Sequence, residues 1–223
     1  NIMAGLTSST IGRKYAMALS AMFLLLFLIM HLSVNLISVF SPSAFNSASE
    51  FMGYNPLIQF LMQPILGFAV IFHFVMGFVL ELKNRSARPV KYAMNNGSAN
   101  STWMSRNMII SGLVVLVFLG LHMYDFWWHE INFKYVEANT PDNERFWHEL
   151  HAKFADAWRV IFYIIAFVLL GLHLAHGFQS SFQSVGARHP KYTPVIKALG
   201  TWYSILIPAG FIIIALYHFL TQS

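Results

Sequence analysis

Five long stretches without a charged side chain constrain the fold of this chain more than any other feature of its sequence. No Asp, Glu, Lys or Arg occurs within residues 15–49, 51–80, 107–124, 160–187 or 198–223. A helix needs about 20 apolar residues to cross the roughly 30 Å hydrocarbon core of a bilayer, so each stretch can hold one transmembrane helix. We therefore predict an all-α membrane protein with five transmembrane helices, at about residues 16–40, 57–80, 107–128, 159–181 and 198–220.

The composition leaves little room for a second kind of domain. Only 10% of the 223 residues are charged, whereas a soluble globular domain has about 25%. We expect residues 1–223 to form a single membrane domain, so a reaction on a water-soluble substrate would take place in a partner chain. Because the chain has no Cys, disulfides, thiolate metal sites and cysteine-bound iron–sulfur clusters are excluded.

Basic residues are distributed unevenly among the connections between these helices. The connection between the first and second helices has no Lys or Arg, and the connection between the third and fourth has three, Lys134, Arg145 and Lys153, which fit less cleanly. The other basic residues outside the predicted helices lie in three regions: Arg13 and Lys14; Lys83, Arg85, Arg88, Lys91 and Arg106; and Arg188, Lys191 and Lys197. Excess Lys and Arg mark the cytoplasmic side of a membrane. We expect an integral protein of a prokaryotic cytoplasmic membrane, with its N-terminus inside and its C-terminus outside. The basic face suits anionic lipid or a docked soluble subunit. We expect no nucleic-acid partner, because no recognition motif accompanies the basic residues.

The connection between the third and fourth helices is the longest one on the outer side. Residues 140–143 (Thr-Pro-Asp-Asn) indicate a turn, after which apolar residues recur at helical spacing: Phe146, Trp147, Leu150, His151, Phe154 and Trp158. We expect a short amphipathic helix on the outer membrane surface.

Four histidines lie inside four different predicted helices, at His31, His73, His122 and His173. Polar groups at membrane depth are costly and rare, so each is a candidate functional residue. The alternative for any one of them is an interhelical hydrogen bond.

The depths of these histidines form two pairs. At about 1.5 Å per residue, His31 and His122 both lie about 22 Å from the inner ends of their helices, whereas His73 and His173 lie about 21–24 Å from the outer ends. Two histidines that face each other at one depth suit bis-imidazole coordination of a haem iron in a helix bundle. The spacing therefore predicts two b-type haems, offset by about 15 Å, in a bundle of the first four helices.

The remaining histidines are expected to have other roles. His176 lies three residues after His173, on a similar face, and is the alternative ligand from the fourth helix. We expect His129, His148, His151 and His218 to be interfacial or solvated. Glycines near the four intramembrane histidines could leave room for a macrocycle or serve ordinary helix packing; they are Gly77, Gly120, Gly171 and Gly177.

Several short motifs, in this order along essentially the whole chain, resemble one known family. They are Met30-His31-Leu32-Ser33-Val34-Asn35, Ala44-Phe45-Asn46-Ser47-Ala48 with Phe51-Met52, Phe72-His73-Phe74-Val75-Met76-Gly77, Leu121-His122-Met123-Tyr124-Asp125, and His173-Leu174-Ala175-His176-Gly177-Phe178. The chain resembles the di-haem cytochrome b membrane subunit of succinate:quinone oxidoreductases, the succinate dehydrogenase and fumarate reductase group with one five-helix anchor. The resemblance implies haem ligation by His31 with His122 and by His73 with His173.

The resemblance also implies partners and a substrate. A flavoprotein subunit and an iron–sulfur subunit would dock on the cytoplasmic face, and electrons would pass through both haems to a quinone, typically menaquinone. We place the quinone pocket near the outer haem, beside the loop that contains Asn46, Glu50 and Phe51. Glu50 and Asp125 are the candidate quinone-site residues, with solvated carboxylates as the alternative. Some family members have a glutamate two residues before the fourth ligand, where this chain has Gly171.

Two other functions remain open at this point. The chain could be the cytochrome b anchor of another quinone-linked dehydrogenase. Intramembrane histidines could also line an ion path in a transporter, although the helices lack a paired set of mid-membrane carboxylates.

Overall fold

The computed structural model describes residues 9–86, 108–140 and 142–222, and five of its helices are long and apolar enough to cross a membrane. These are Ile11–Phe40, Ile58–Lys83, Met108–Val136, Ala157–Ser184 and Thr193–Leu220. No strand occurs among the described residues. The prediction of an all-α membrane protein with five spanning helices is confirmed.

The first spanning helix and the helix that follows it meet at a single serine. Helix α1 (Thr10–Phe40) ends at Ser41, whose N–H donates to Ile37 O. Ser41 Oγ also accepts a hydrogen bond from Ala44 N and so caps helix α2 (Pro42–Tyr54), which has Pro42 in its first turn. A serine cap followed by proline is a strong start signal for a helix. The loop that we predicted around Asn46, Glu50 and Phe51 was therefore wrong, because these residues lie in α2.

The remaining helices agree with the predicted order but not with every boundary. A π-helical turn, Ile58–Met62, leads into α3 (Gln63–Ser86). The third spanning helix runs as α4 (Met108–His122), a π-helical segment (Met123–Trp128), α5 (His129–Ile131) and a second π-helical segment (Asn132–Val136). It was predicted to end at Trp128. It continues because Glu130 and Lys134, one turn apart, form an ion pair of 2.6 Å that favours helix beyond the apolar stretch.

The outer amphipathic helix is present as α6 (Arg145–Lys153). It is followed by the last two spanning helices, α7 (Ala157–Ser184) and α8 (Thr193–Leu220). Helix α7 packs against α1, α4 and α8, while α1 also packs against α3 and α8. The first four spanning helices thus surround a common interior, and α8 covers it on the α1–α7 side.

The two ends of the bundle differ in charge and in structure. Helices α2 and α6 lie at one end, here called the α6 end. The opposite end, here called the basic end, carries these described basic residues: Arg13, Lys14, Lys83, Arg188, Lys191 and Lys197. Of the other basic residues on which we predict subunit docking, Arg88, Lys91 and Arg106 lie outside the described residues, and Arg85 is described by its backbone alone.

Gly171 lets α7 and α8 approach closely. A Cβ atom at this position would lie 3.0 Å from Ser204 O and 3.3 Å from Pro208 Cγ. Because Pro208 has no N–H, the carbonyl of Ser204 lacks its usual helical partner and faces α7. The glutamate that some members of the resembled family have here would not fit without displacement of α8.

Gly171→Ala is therefore expected to destabilise the protein by about 1–3 kcal/mol, as overpacking does in other tight contacts. Gly67 is the matched control, because its Cβ position has no neighbour within 4 Å and Gly→Ala in an open helical position stabilises by up to about 1 kcal/mol. Thermal unfolding in detergent measures the stability of both variants, Gly171→Ala and Gly67→Ala. Equal melting temperatures for the two variants would contradict the packing role of Gly171.

Candidate functional site: two facing histidine pairs

The four intramembrane histidines meet in two pairs inside the bundle. The ring centroids of His31 and His122 are 5.7 Å apart, with the ring planes at 85°. Those of His73 and His173 are 6.5 Å apart, with the planes at 73°. Helices α1 and α4 supply the first pair, and α3 and α7 supply the second. These are the pairs that depth along the helices predicted.

The two pairs lie at different levels of the bundle. On α1, Ser20 contacts His73 while His31 contacts His122. On α4, Ser111 contacts His173. His122 lies three helical turns after Ser111 on α4, and His31 lies three turns after Ser20 on α1. Three turns correspond to about 16 Å. The His73–His173 pair is thus nearer the basic end, and the His31–His122 pair is nearer the α6 end.

Serine hydroxyls set the tautomer of the pair near the basic end. Ser20 Oγ donates to Met17 O at 2.8 Å and lies 3.2 Å from His73 Nδ1. Since its one proton is used on Met17, the hydroxyl accepts from Nδ1–H of His73. The same holds for Ser111, whose hydroxyl donates to Met108 O at 2.9 Å and lies 3.2 Å from Nδ1 of His173. Both histidines therefore keep an unprotonated Nε2, as metal-binding histidines oriented by a second hydrogen bond do.

The His31–His122 pair has a different environment. Asn35 Nδ2 donates to His31 O at 2.8 Å and lies 3.4 Å from His31 Nδ1. His122 Nδ1 is buried and has no hydrogen-bond partner in the described part of the chain. Aromatic rings contact the pair: Phe27, Phe118, Phe126 and Phe211. A buried imidazole nitrogen without a partner is costly unless a ligand supplies one.

The donor set fits a group that needs two axial nitrogens. Metal–imidazole bonds are about 2 Å long, so a metal held between two imidazoles would separate the ring centroids by about 6 Å. The two observed spacings, 5.7 and 6.5 Å, lie on either side of this value. Within the described ranges, no group of three or more His, Asp or Glu residues could hold a metal ion. Each pair can thus offer two ligands to a haem, whose macrocycle supplies the others. It is His173, and not His176, whose ring faces that of His73.

Asp125 is buried beside the His31–His122 pair and is 1% exposed. Its Oδ2 accepts from Tyr163 OH at 2.9 Å and lies 3.2 Å from Arg159 Nε, while Lys153 Nζ is 3.9 Å from Oδ1. The Tyr163 ring lies 6.3 Å from that of His122. The alternative of a solvated carboxylate is therefore wrong for Asp125. Its Oδ1 accepts no hydrogen bond from the described residues and can serve a polar ligand.

Glu50, the other candidate quinone-site residue, is half-buried on α2. It takes no part in the contacts of Asp125 given above. Asn46 on the same helix has a structural role: its Oδ1 accepts from Trp147 N at 2.7 Å, and its Nδ2 donates to Glu144 O at 3.1 Å. The amide thus attaches α2 to the start of α6.

An ion network holds α6 against the extended third spanning helix. Arg145 binds Glu130 and Glu149, and Glu130 also binds Lys134. Burial lowers the pKa of Arg145, but its hydrogen bonds and charge contacts with Glu130 and Glu149 outweigh this and raise the pKa above its ordinary value. The Arg145 guanidinium therefore stays charged. At the α6 end, salt bridges as well as apolar contacts hold α6 against the bundle.

Sequence reasoning missed three residues of the interior. Ser20 and Ser111 had a detectable signal, since each precedes an intramembrane histidine of its own helix by three turns. His218 was expected to be interfacial or solvated, and this was wrong: it is 0% exposed and contacts Ser38 and His151. A position near the end of a helix does not reveal which face the side chain occupies.

Comparison of the chain with protein-family models, with curated proteins and with solved structures gave no match.

Proposed function

We propose that this chain is the membrane-embedded cytochrome b subunit of a succinate:quinone oxidoreductase, which carries electrons between an iron–sulfur subunit and a quinone through two b haems. The observation that carries the proposal is the two facing histidine pairs at two levels, with ring centroids 5.7 and 6.5 Å apart. The motifs around the same four histidines, which resemble those of the di-haem family, support it.

The residues of the bundle have distinct roles in this proposal. His31 with His122, and His73 with His173, would each hold one haem, and each haem would supply a one-electron carrier. Ser20 and Ser111 hold the ligands of the second pair with Nε2 free. The aromatic rings around His31 and His122 exclude water from the first pair. Two carriers at different levels form a relay along the bundle.

The basic end is the cytoplasmic face in this proposal, and the α6 end and the C-terminus are outside. The iron–sulfur subunit and the flavoprotein subunit dock on the basic end, where anionic lipid surrounds them. The uneven distribution of Lys and Arg supports this orientation.

Charge reversal tests the docking face. Replacement of Lys83, Arg85, Arg88, Lys91 and Arg106 by Glu is expected to abolish co-purification of the two soluble subunits and to leave the visible spectrum unchanged. Glu137→Lys is the control, because Glu137 is exposed at the opposite end. Normal assembly of the five-residue variant would contradict docking at the basic end.

The quinone reacts near the His31–His122 pair in this proposal, and menaquinone is the species that the resemblance favours. The buried Asp125, whose Oδ1 lies 3.9 Å from Lys153 Nζ and accepts no hydrogen bond from the described residues, is the stronger candidate for a quinone hydrogen bond, and Glu50 is the second. A quinone at this end gives the two-level relay a purpose, because a quinone at the basic end would need only one carrier.

Spectroscopy of membranes that contain the complex tests the function. Succinate is expected to reduce the b haems, and a menaquinone analogue is expected to reoxidise them. Haems that dithionite reduces but succinate does not would assign the chain to another quinone-linked dehydrogenase. A chain without haem absorption would favour the transporter alternative, and either result would contradict the proposal.

A further inference from the structure

A chain of hydrogen-bonded side chains joins the surface of the α6 end to the face of α1 that carries His31. His151 Nδ1 on α6 lies 3.1 Å from His218 Nδ1 on α8. His218 Nε2 lies 3.0 Å from Ser38 Oγ on α1, and Ser38 Oγ lies 2.6 Å from Asn35 O. Residues 31, 35 and 38 share one face of α1, because they are spaced four and three residues apart.

The proton positions in this chain can be assigned from its acceptors. Ser38 donates its one proton to Asn35 O, so it accepts from Nε2–H of His218. Nδ1 of His218 is then unprotonated and accepts from Nδ1–H of His151. The reverse order, from Ser38 to His218 to His151, satisfies both histidine contacts but gives up the hydrogen bond from Ser38 to Asn35 O. The hydrogen-bonded side chains therefore have two proton arrangements, and the one in which Ser38 donates to Asn35 O has one more hydrogen bond.

Neighbouring side chains fix the positions of these hydrogen-bonded residues and shield His218 and Ser38 from water. His218 and Ser38 are both 0% exposed. Trp147 stacks on His151 with ring centroids 4.5 Å apart and donates from Nε1 to Ser38 O at 2.9 Å. Gln222 Nε2 donates to the backbone carbonyls of His151 and His218, at 2.7 Å each.

His151 is the member that reaches the surface, and it is half-buried. Burial and the neighbouring His148 lower the pKa of His151 below its ordinary value. His151 is therefore neutral at neutral pH, with one ring nitrogen free to take a proton from water.

We propose that His151, His218 and Ser38 form a proton path between the aqueous face of the α6 end and a quinone bound beside the His31–His122 pair. The inference rests on the proposed function, because the quinone is the group that takes up or gives up the protons. It adds residues on α6 and α8, which lie outside the four helices that carry the histidine pairs.

One transfer toward the interior conserves protons at every step. A proton binds His151 Nε2, and the Nδ1 proton of His151 passes to Nδ1 of His218. The Nε2 proton of His218 passes to Ser38 Oγ, and the original hydroxyl proton of Ser38, which Asn35 O accepts at rest, passes to a quinone oxygen that the proposal places within hydrogen-bond distance of Ser38. Rotation of the two imidazole rings restores the starting proton arrangement, and a second transfer, with two electrons from the relay, completes the conversion of one quinone to a quinol. The reverse sequence releases protons to the aqueous face when a quinol is oxidised.

If His218 had only a structural role, its hydrogen bonds to Ser38 and His151 would suffice, and its ability to exchange protons would not matter. His218→Gln tests the difference, because a Gln amide can donate to Ser38 and accept from His151 but cannot exchange its protons in this way. We expect the visible spectrum of the purified complex to be unchanged and quinone turnover to fall about 100-fold, the low end of the effect of a positioned proton donor or acceptor. The solvent deuterium isotope effect on turnover is expected to increase.

Two further variants complete the test. Ser38→Ala removes the hydroxyl with little change of volume and is expected to show the same defect, which covers the case that His218→Gln does not fold. His129→Gln is the control, because His129 is exposed and lies outside the hydrogen-bonded contacts of His151, His218 and Ser38. Its turnover is expected to equal that of the wild type.

A spectroscopic measurement does not depend on turnover. In the full chain labelled with ¹⁵N-histidine, a nitrogen–nitrogen coupling across the hydrogen bond is expected between Nδ1 of His151 and Nδ1 of His218. Absence of this coupling, or wild-type turnover in both His218→Gln and Ser38→Ala with the haems present, would overturn the proton path alone. A wild-type complex without haems would overturn the proposed function, and the proton path with it.

Discussion

Replacement of His31 or His122 by Ala is expected to remove one haem and to retain the other. Replacement of His73 or His173 should remove the haem that the first two variants keep. The physical reason is that, in the proposed function, each facing pair would hold one haem and the two haems would share no ligand. Reduced-minus-oxidised spectra and haem-to-protein ratios of the four purified variants measure the result.

His176→Ala is the matched control for the fourth spanning helix. This variant is expected to keep both haems, because the ring of His173 is the one that faces His73. If His173→Ala kept both haems while His176→Ala lost one, the ligand assignment on α7 would be wrong. If each of the four variants lost both haems, the two centres would not be independent.

Asp125→Ala is expected to destabilise the protein by about 3–5 kcal/mol, the cost of leaving a buried charge without its partner. The Asp125 side chain is 0% exposed, and that of Arg159, whose Nε lies 3.2 Å from Asp125 Oδ2, is only 15% exposed. Loss of the carboxylate leaves this guanidinium with only the exposed Asp156 as an ion-pair partner and removes the acceptor of Tyr163 OH. Thermal unfolding in detergent, followed by circular dichroism, gives the change in stability.

Asp156 provides the control, because it is the other carboxylate near Arg159 but is 59% exposed. Asp156→Ala should change the melting temperature little, as exposed ion pairs contribute little. The double variant Asp125→Ala with Arg159→Met should recover part of the lost stability, since the largely buried guanidinium is removed together with its buried partner. Equal effects of Asp125→Ala and Asp156→Ala would show that burial of the ion pair is not the cause.

The spanning helices and the histidine pairs could be predicted because both follow from position along one dimension. A charge inside hydrocarbon is so costly that uncharged stretches mark the spans. Within a span, the fixed rise of the helix converts residue number into depth, which is how His31 was matched with His122 before any contact was known.

The elements at the α6 end could not be predicted in the same way. Outside the hydrocarbon, hydropathy no longer distinguishes a loop from a helix, so α2 was taken for a loop and the third spanning helix was ended at Trp128. Local chemistry decides there: the Ser41 cap starts α2, and the ion pair of Glu130 with Lys134 extends the third helix.

Burial of individual polar side chains depends on which helix packs against which face. His218 lies near the end of its helix, where the sequence favours a solvated residue, yet α1 and α6 enclose it. Asp125 is similar, since Arg159 and Tyr163 of α7 cover it. To predict that His218 and Asp125 are buried, one must know which helices pack against them, and a single sequence does not give that arrangement.

The haem content of the purified chain is the decisive measurement. We expect two non-covalently bound b-type haems per chain, both low-spin, with the absorption of iron that has two histidine ligands. A purified, folded chain that binds one haem or none when haem is supplied would contradict this expectation.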